Sequence, residues 1–278
     1  MSSTLEDSIL SVIKQLDNSF EVIIVDDGSD DNSLEILFKI QEKYSLVKVI
    51  PLKRDKRRKL GETRNISVRA ARGKYVLLHI DTDDIWEPYL KTFTKIYHDL
   101  EKRLLIKNFM LSGKQIQMAT KKLILNNPYP NYYYTEDRVL WNNLAVQNRL
   151  ISINHKEIRR RIPMKSKKMK LIKAFKSQFS SMTVAFGYTP NAFNTIFEYL
   201  IRVKKIYKKS LAFSIITLIF LLPTFIYGRF LKRQYFLNQI KGNPRDLSQV
   251  NLSIIEDYYY SEYGRLNLNK KERQIFIN

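Results

Sequence analysis

Between residues 3 and 90, short apolar runs alternate with stretches of helical spacing. Leu5, Ile9, Val12, Ile13 and Leu16 recur at three- and four-residue intervals, which predicts a helix that Asp17-Asn18 ends. Phe20 to Val25 is nearly continuous in apolar and β-branched residues, the pattern of a strand buried on both faces, and it stops at Asp26-Asp27-Gly28-Ser29. Asp30, Asp31 and Ser33 offer caps to a helix carried by Leu34, Ile36, Leu37 and Ile40. Residues 46–51 read as a second strand, 53–59 as a charged loop, and 61–72 as a helix closed by Gly73. A third strand, 74–80, runs into Asp81-Thr82-Asp83-Asp84. Strands alternating with helices in this way predict an α/β fold with a parallel, doubly wound sheet, whose ligands bind beyond the carboxyl ends of the strands.

Two acidic turns therefore belong to one edge of the sheet, although 55 residues separate Asp26 from Asp81. Carboxylates that converge repel one another unless a cation or a donor-rich ligand neutralises them. With no Cys and only His79, His98 and His155, a metal site would be built from oxygen, which suits Mg²⁺ or Mn²⁺ sharing its shell with a diphosphate. Each turn taken alone has an ordinary alternative, as a helix cap or tight turn.

Charge divides the chain. Through residue 151 there are 24 basic and 20 acidic residues; from 152 onward there are 24 and 7. This asymmetry points to a polyanionic partner for the second part only. Hydropathy selects an anionic membrane over nucleic acid, because Leu211 to Tyr227 carries no charge and is flanked by Lys204, Lys205, Lys208, Lys209, Arg229, Lys232 and Arg233. No recognised RNA-binding module accompanies the basic residues. At ~1.5 Å per residue the segment is at the short end for a ~30 Å hydrocarbon core. Spanning, an in-plane or re-entrant placement around Pro223, and a buried soluble helix all remain open. In 159–176, Ile162, Met164, Met169, Leu171, Ile172 and Phe175 interleave with basic residues, as in segments that bind anionic headgroups. A solvated basic helix is the plain alternative. Met1 to Leu16 has no apolar signal region, which predicts a membrane-associated protein with its first domain on the cytoplasmic face.

The blocks EVIIVDDGSDDNS and KLGETRNISVRAARGKYVLLHIDTDDIWEP resemble the nucleotide-sugar-binding half of family 2 inverting glycosyltransferases of GT-A fold, well over 3–90 and more loosely to about 150. The resemblance implies a Rossmann-like mixed sheet in a domain of residues 1–151, followed by a basic helical region over 152–278 with its hydrophobic segment at 211–227. It implies that Asp26 and Asp27 accept hydrogen bonds from the base and ribose of a nucleotide-sugar donor, with Gly28 allowing close backbone approach. Asp81-Thr82-Asp83 becomes the DxD motif: Asp81 near the ribose or metal, Asp83 on the metal, with Asp84 a weaker candidate. Arg64 and Asn65 help shape the donor pocket.

Thr135-Glu136-Asp137 is similar to the family's acidic acceptor motif at a helix start, with Thr135 placed to cap that helix. A helix dipole favours the charged form of a carboxylate in this first turn, ready to take a proton from the acceptor hydroxyl. Asp137 is the first candidate for the base and Glu136 the second; a capping box is the structural alternative. The implied acceptor is a sugar hydroxyl on a lipid or surface glycan. Members of the family open with an apolar strand ending in a Pro-Thr-Tyr-Asn type of turn. This sequence starts at the helix after it, which implies either a start placed too late in a longer reading frame or a sheet that lacks a central strand and exposes unpaired backbone groups on its neighbours. The competing reading is a catalytically impaired, membrane-bound partner protein.

Weaker signals are double-edged. Tyr132, Tyr133 and Tyr134 suit sugar stacking or loop packing, and Trp86 suits the donor pocket or the core beneath it. His79 reads as a core histidine. Tyr258, Tyr259, Tyr260 and Tyr263 suit an interfacial belt or a helix packed back on the catalytic domain.

Overall fold

The computed structural model describes residues 2–132, 135–162, 167–188, 196–197, 200–201, 211–230 and 244–277. The predicted order of elements appears in it. Helix α1 (Ser2–Ile13) precedes strand β1 (Val22–Asp26), helix α2 (Ser33–Lys43) and strand β2 (Val47–Pro51). Helix α3 (Leu60–Ala70) leads to β3 (Tyr75–Leu78) and the short β4 (Asp84–Trp86). β1 and β2 pair in parallel, Val22 opposite Val47 through Asp26 opposite Pro51. Leu5, Ile9 and Ile13 of α1 and Leu37 and Ile40 of α2 pack with Val47 and Val49 over this pair. Gly73 is not the cap of α3. The helix ends at Ala71 in extended conformation, and Glu21 Oε1 instead accepts from the backbone N–H groups of Arg72 and Gly73.

Beyond β3 the parallel expectation fails and the sheet is mixed. After helix α4 (Leu90–Arg103) come β5 (Met110–Ser112), β6 (Gln117–Thr120), α5 (Lys121–Asn126), α6 (Glu136–Val146) and β7 (Leu150–Ile153). β6 runs antiparallel to β3 and, across a short turn, to β5; β5 and β7 are parallel. Leu90, Phe93, Ile96, Tyr97 and Leu100 of α4 are completely buried against this second sheet.

β1 and β3 are not hydrogen-bonded to each other; each is an edge strand of its own sheet. Ile23 of β1 and Tyr75 to Leu78 of β3 line one cleft of about 850 Å³, closed on its sides by Ser67 and Val68 of α3 and Thr94 and His98 of α4.

Residues 244–277 return to the first domain. β9 (Gln249–Val250) pairs in parallel with β7, and helices α9 (Leu252–Tyr258) and α10 (Lys270–Phe276) bury Leu252 and Phe276 in the α4 core. Tyr258, Tyr260 and Tyr263 of this stretch are all exposed, and the Arg103 guanidinium lies over the Tyr263 ring. Between β7 and these elements lie β8 (Arg159–Arg161), helix α7 (Lys167–Tyr188) and helix α8 (Leu211–Phe230), the last two packed as a pair. Among the described residues no helix is long and apolar enough to cross a membrane.

Candidate active site

The first acidic turn is fixed by its own backbone. Asp26 is buried, its Oδ2 accepting from the Ser29 N–H at 3.1 Å, and Gly28 turns at φ 76. A Cβ at Gly28 would lie 2.7 Å from the backbone nitrogen of Arg54, so both the positive φ and the close approach require glycine. Asp27 faces a pocket of about 550 Å³ whose walls include Gly28, Ser29, Arg54, Lys56 and Lys59. The charged loop 53–59 is therefore part of the site. Arg58 holds Asp27 at 2.6 Å through Nε, and Thr63 Oγ1 of α3 donates to its other oxygen at 3.4 Å.

The next residue on α3 reaches the second turn. Arg64 Nη2 is 3.8 Å from Asp81, while Nη1 is 2.5 Å from Glu136 Oε1 and 3.3 Å from His79 Nε2. Thr63 and Arg64 thus connect Asp27, Asp81 and Glu136, three clusters remote in sequence, across one helical turn. Asp81 and Asp83 are not walls of the 550 Å³ pocket; they meet it through this first turn of α3. Asn65 completes the link, its side-chain amide exchanging hydrogen bonds with the Tyr129 backbone at 2.8 and 2.9 Å. Gly61 is pressed against Pro130, where a Cβ would overlap the carbonyl oxygen. The loop before α6 is held on α3 by these contacts.

Asp81, Asp83 and Asp84 bring carboxylate oxygens within 4.8 Å of one another. Their surroundings differ. Asp84 is completely buried on β4, opposite Arg161 of β8, and is held by Arg159 Nη1 and by Arg161 Nε at 3.2 Å. Arg161 Nη2 also approaches Asp83 at 3.3 Å and Asp81 at 3.7 Å. The charge neutralisation that convergence demands is supplied in part by these arginines, although in sequence they open the basic stretch 159–176 that resembles headgroup-binding segments. Burial, with Asp83 and Asp84 nearby, raises the Asp81 pKa above the ordinary carboxylate value, against the opposing pull of Arg64 and Arg161. The set fits a hard divalent cation: oxygen donors only, with the Asp81 and Asp83 side chains 40% and 19% exposed and Asp84 committed to its arginines.

The acceptor motif departs from expectation at two points. Thr135 sits in the left-handed region at φ 72 and makes no side-chain cap of α6. Glu136 is not charged by the helix dipole. Burial pushes its pKa up to about 7, with Asp137 and Asp81 adding and Arg64 opposing, and its Oε2 is buried without a protein partner. Desolvation outweighs the dipole because the side chain lies under α3 rather than at an open terminus. Asp137 is half-buried, its Oδ1 accepting from the Arg138 N–H at 2.7 Å. Among the described residues no other side-chain hydrogen bond orients it.

His79 is at the site and not simply in the core. It follows β3 at φ 67, lies among Arg64, Tyr129 and Trp141, and is held neutral by burial and the neighbouring arginines. Trp86, by contrast, is buried in the α4 core. Tyr132 packs on Val139 and Val184; Tyr133 and Tyr134 lie outside the described residues. Sequence reasoning missed Arg58, Arg159 and Arg161, whose basic runs gave no sign of their separate partners, and Arg245, whose guanidinium lies 5.0 Å from the Trp141 ring centre.

Acidic turns after β1 and β3, on two neighbouring sheets, joined through the first turn of α3 to a third acidic motif, describe a glycosyltransferase class of site. The profile of glycosyl transferase family 2 matches residues 2–162, and the chain belongs to that family. It is 30% identical over 138 residues to a cholesterol galactosyltransferase of Borreliella burgdorferi, covering 48% of this chain and 36% of that protein. A second relative is a UDP-Glc:alpha-D-GlcNAc-diphosphoundecaprenol beta-1,3-glucosyltransferase, WfaP of Escherichia coli. The identity there is 24% over 168 residues, 51% of this chain and 64% of that one. The chain thus spans less than two thirds of either relative's length. The crystal structure of S. aureus TarS residues 1–349 superposes with a TM-score of 0.50 at 15% identity, over 95% of this chain and 84% of that one, so the fold is shared.

Proposed function

We propose that this glycosyltransferase moves a sugar from a nucleoside diphosphate sugar to a hydroxyl on a lipid-linked or surface glycan, inverting the anomeric configuration at the membrane. The observation that carries the reading is Arg64, one guanidinium joining Asp81 of the DxD turn to Glu136 of the acceptor motif. The names of the galactosyltransferase and glucosyltransferase relatives support a lipid acceptor.

Asp26 and Asp27 would receive the base and ribose in the pocket behind Gly28, where Arg54, Lys56 and Lys59 supply positive charge for the diphosphate. Asp83 and Asp81 would hold Mg²⁺ or Mn²⁺, which supplies Lewis-acid neutralisation of the leaving diphosphate. Asp137 takes the proton of the acceptor hydroxyl as its oxygen attacks the anomeric carbon from the face opposite the departing nucleoside diphosphate. One bond forms as the other breaks, so configuration inverts. Glu136, locked on Arg64, positions the motif and keeps Arg64 aimed at Asp81.

The test is a thermal-shift scan of the full chain with UDP-, GDP- and dTDP-sugars and Mn²⁺, followed by transfer assays with the donor that stabilises it. Asp137→Asn is expected to keep the donor-induced shift and to lose transfer by ~10²-fold or more. Asp83→Asn is expected to lose the Mn²⁺-dependent part of the shift. No shift with any donor would overturn the proposal.

A further inference from the structure

The pair of helices α7 and α8 has its polarity reversed relative to a water-soluble hairpin. On α8 the side chains that face α7 include Ser214, Thr217 and Thr224, which are 2%, 0% and 0% exposed. Thr217 Oγ1 accepts from the Gln178 side chain of α7 at 3.2 Å, and Thr224 Oγ1 donates back to the Leu221 carbonyl at 3.2 Å. Between these polar contacts Phe179 meets Phe220, and Phe186 meets Phe225, edge to face. The opposite face of α8 is apolar and bare. Leu211, Ile215, Leu218, Ile219, Leu222, Ile226 and Phe230 recur at helical spacing and are 47% to 81% exposed.

A soluble helix places such a stripe inward and its hydroxyls outward. In hydrocarbon the order inverts, because lipid accepts apolar side chains as readily as a core does, while hydroxyls and amides must find partners between helices. An uninterrupted apolar stripe of this size on the surface of a protein in water is also an aggregation hazard. Charge identifies which apolar phase covers it: in sequence Lys204, Lys205, Lys208 and Lys209 precede the helix, Arg229 lies in its last turn and Lys232 and Arg233 follow, and α7 opens with Lys167, Lys168, Lys170 and Lys173. A second copy of the chain would bring these cations together, whereas an anionic leaflet neutralises them.

We infer that the outward face of α8 seats in the acyl chains of an anionic leaflet, and that this contact sets the acceptor end of the catalytic site at the membrane surface. The second half of the inference rests on the transferase reading above. Its structural link is Val184 of α7, which packs on Val139 of α6, two residues beyond Asp137. A hydroxyl on a lipid headgroup would then reach the site without leaving the leaflet.

The experiment uses the full chain and vesicles of phosphatidylcholine, alone or with phosphatidylglycerol. Co-flotation is expected with the anionic vesicles and at least ~10-fold less with the zwitterionic ones. Leu218→Glu combined with Leu222→Glu is expected to abolish co-flotation while leaving the donor-induced thermal shift and transfer to a water-soluble acceptor unchanged. Leu222→Trp supplies an independent readout: its fluorescence is expected to be quenched by lipids brominated on the acyl chain and not by a water-soluble quencher.

Co-flotation that survives the double substitution, or a Trp at 222 quenched only from water, would overturn the inference. So would a double variant whose sole effect is to turn an oligomer into a monomer, since the stripe would then belong to a second copy. Loss of transfer with vesicle binding intact counts against the enzymatic reading alone. Failure of the unsubstituted chain to co-float with anionic vesicles, with its transfer intact, counts against the docking face alone.

Discussion

Arg64 and Gly28 show how much of the site depends on single side chains. Arg64 donates to the buried Glu136 carboxyl, and removing that donor leaves a buried acceptor unsatisfied, at a cost of about 1 to 3 kcal/mol. Arg64→Ala is therefore expected to lower the melting temperature by several degrees as well as abolish transfer. Adding Glu136→Gln should restore most of the stability and none of the activity, a split that calorimetry and a transfer assay together resolve. Gly28→Ala forces a side chain into the left-handed region and onto the Arg54 backbone, with an expected loss of about 1 to 2 kcal/mol or more and of donor binding. Two titrations act in opposite directions. Glu136 is raised to about 7 in the folded chain, so the folded state holds its proton more tightly than the unfolded one, and stability should fall as pH rises from about 4.5 to 7. His155 is lowered to about 4 chiefly by burial, held neutral with its Nε2 accepting from the Lys114 N–H at 2.7 Å. Its contribution is present above pH 6.5 and is lost as pH falls toward 4. Urea denaturation from pH 4 to 8 checks both, since Glu136→Gln should flatten only the upper slope.

At the scale of elements, α3 is the organising piece. Its first turn touches both acidic clusters, its Asn65 holds the loop that delivers α6, and Gly61 permits the close packing of that loop. Asn65→Ala should leave the tertiary core intact while reducing transfer, because the Tyr129 backbone loses both partners and the α6 motif its register. A fall in kcat with little change in donor affinity is the expected signature, and an equal loss of donor binding would contradict it. β8 has the corresponding role for the turn of Asp81, Asp83 and Asp84. Arg159 and Arg161 stand on one strand at alternate positions, which aims both at Asp84 across the β4 ladder. The spacing of α1, β1, α2, β2, α3 and β3 was legible from hydrophobic period alone. The early end of β3 was not, since the positive φ of His79 answers to Arg64 and Trp141, residues distant in sequence.

Over the whole molecule the basic excess is divided between two uses. Part of it is consumed inside the fold by aspartates, as at Arg58, Arg159 and Arg161; part flanks the apolar stripe of α8. Substituting Arg161→Ala is thus expected to disturb the Asp81-Asp83-Asp84 cluster, read as a changed Mn²⁺ dependence of the donor-induced thermal shift, with vesicle binding unaffected. The C-terminal residues also belong to two environments, because 244–277 close the first domain's core while α7 and α8 face outward from it. Sequence alone determined the α/β alternation, the family blocks, the oxygen-only chemistry and the apolar segment, all of which are local patterns carried by neighbouring residues. Only the tertiary structure decided which arginine neutralises which aspartate, that Glu136 is desolvated and not simply at a helix terminus, that β1 and β3 stand apart, and which face of α8 is bare. Each of those depends on distances and burial between segments far apart along the chain, quantities that no periodicity in one segment encodes.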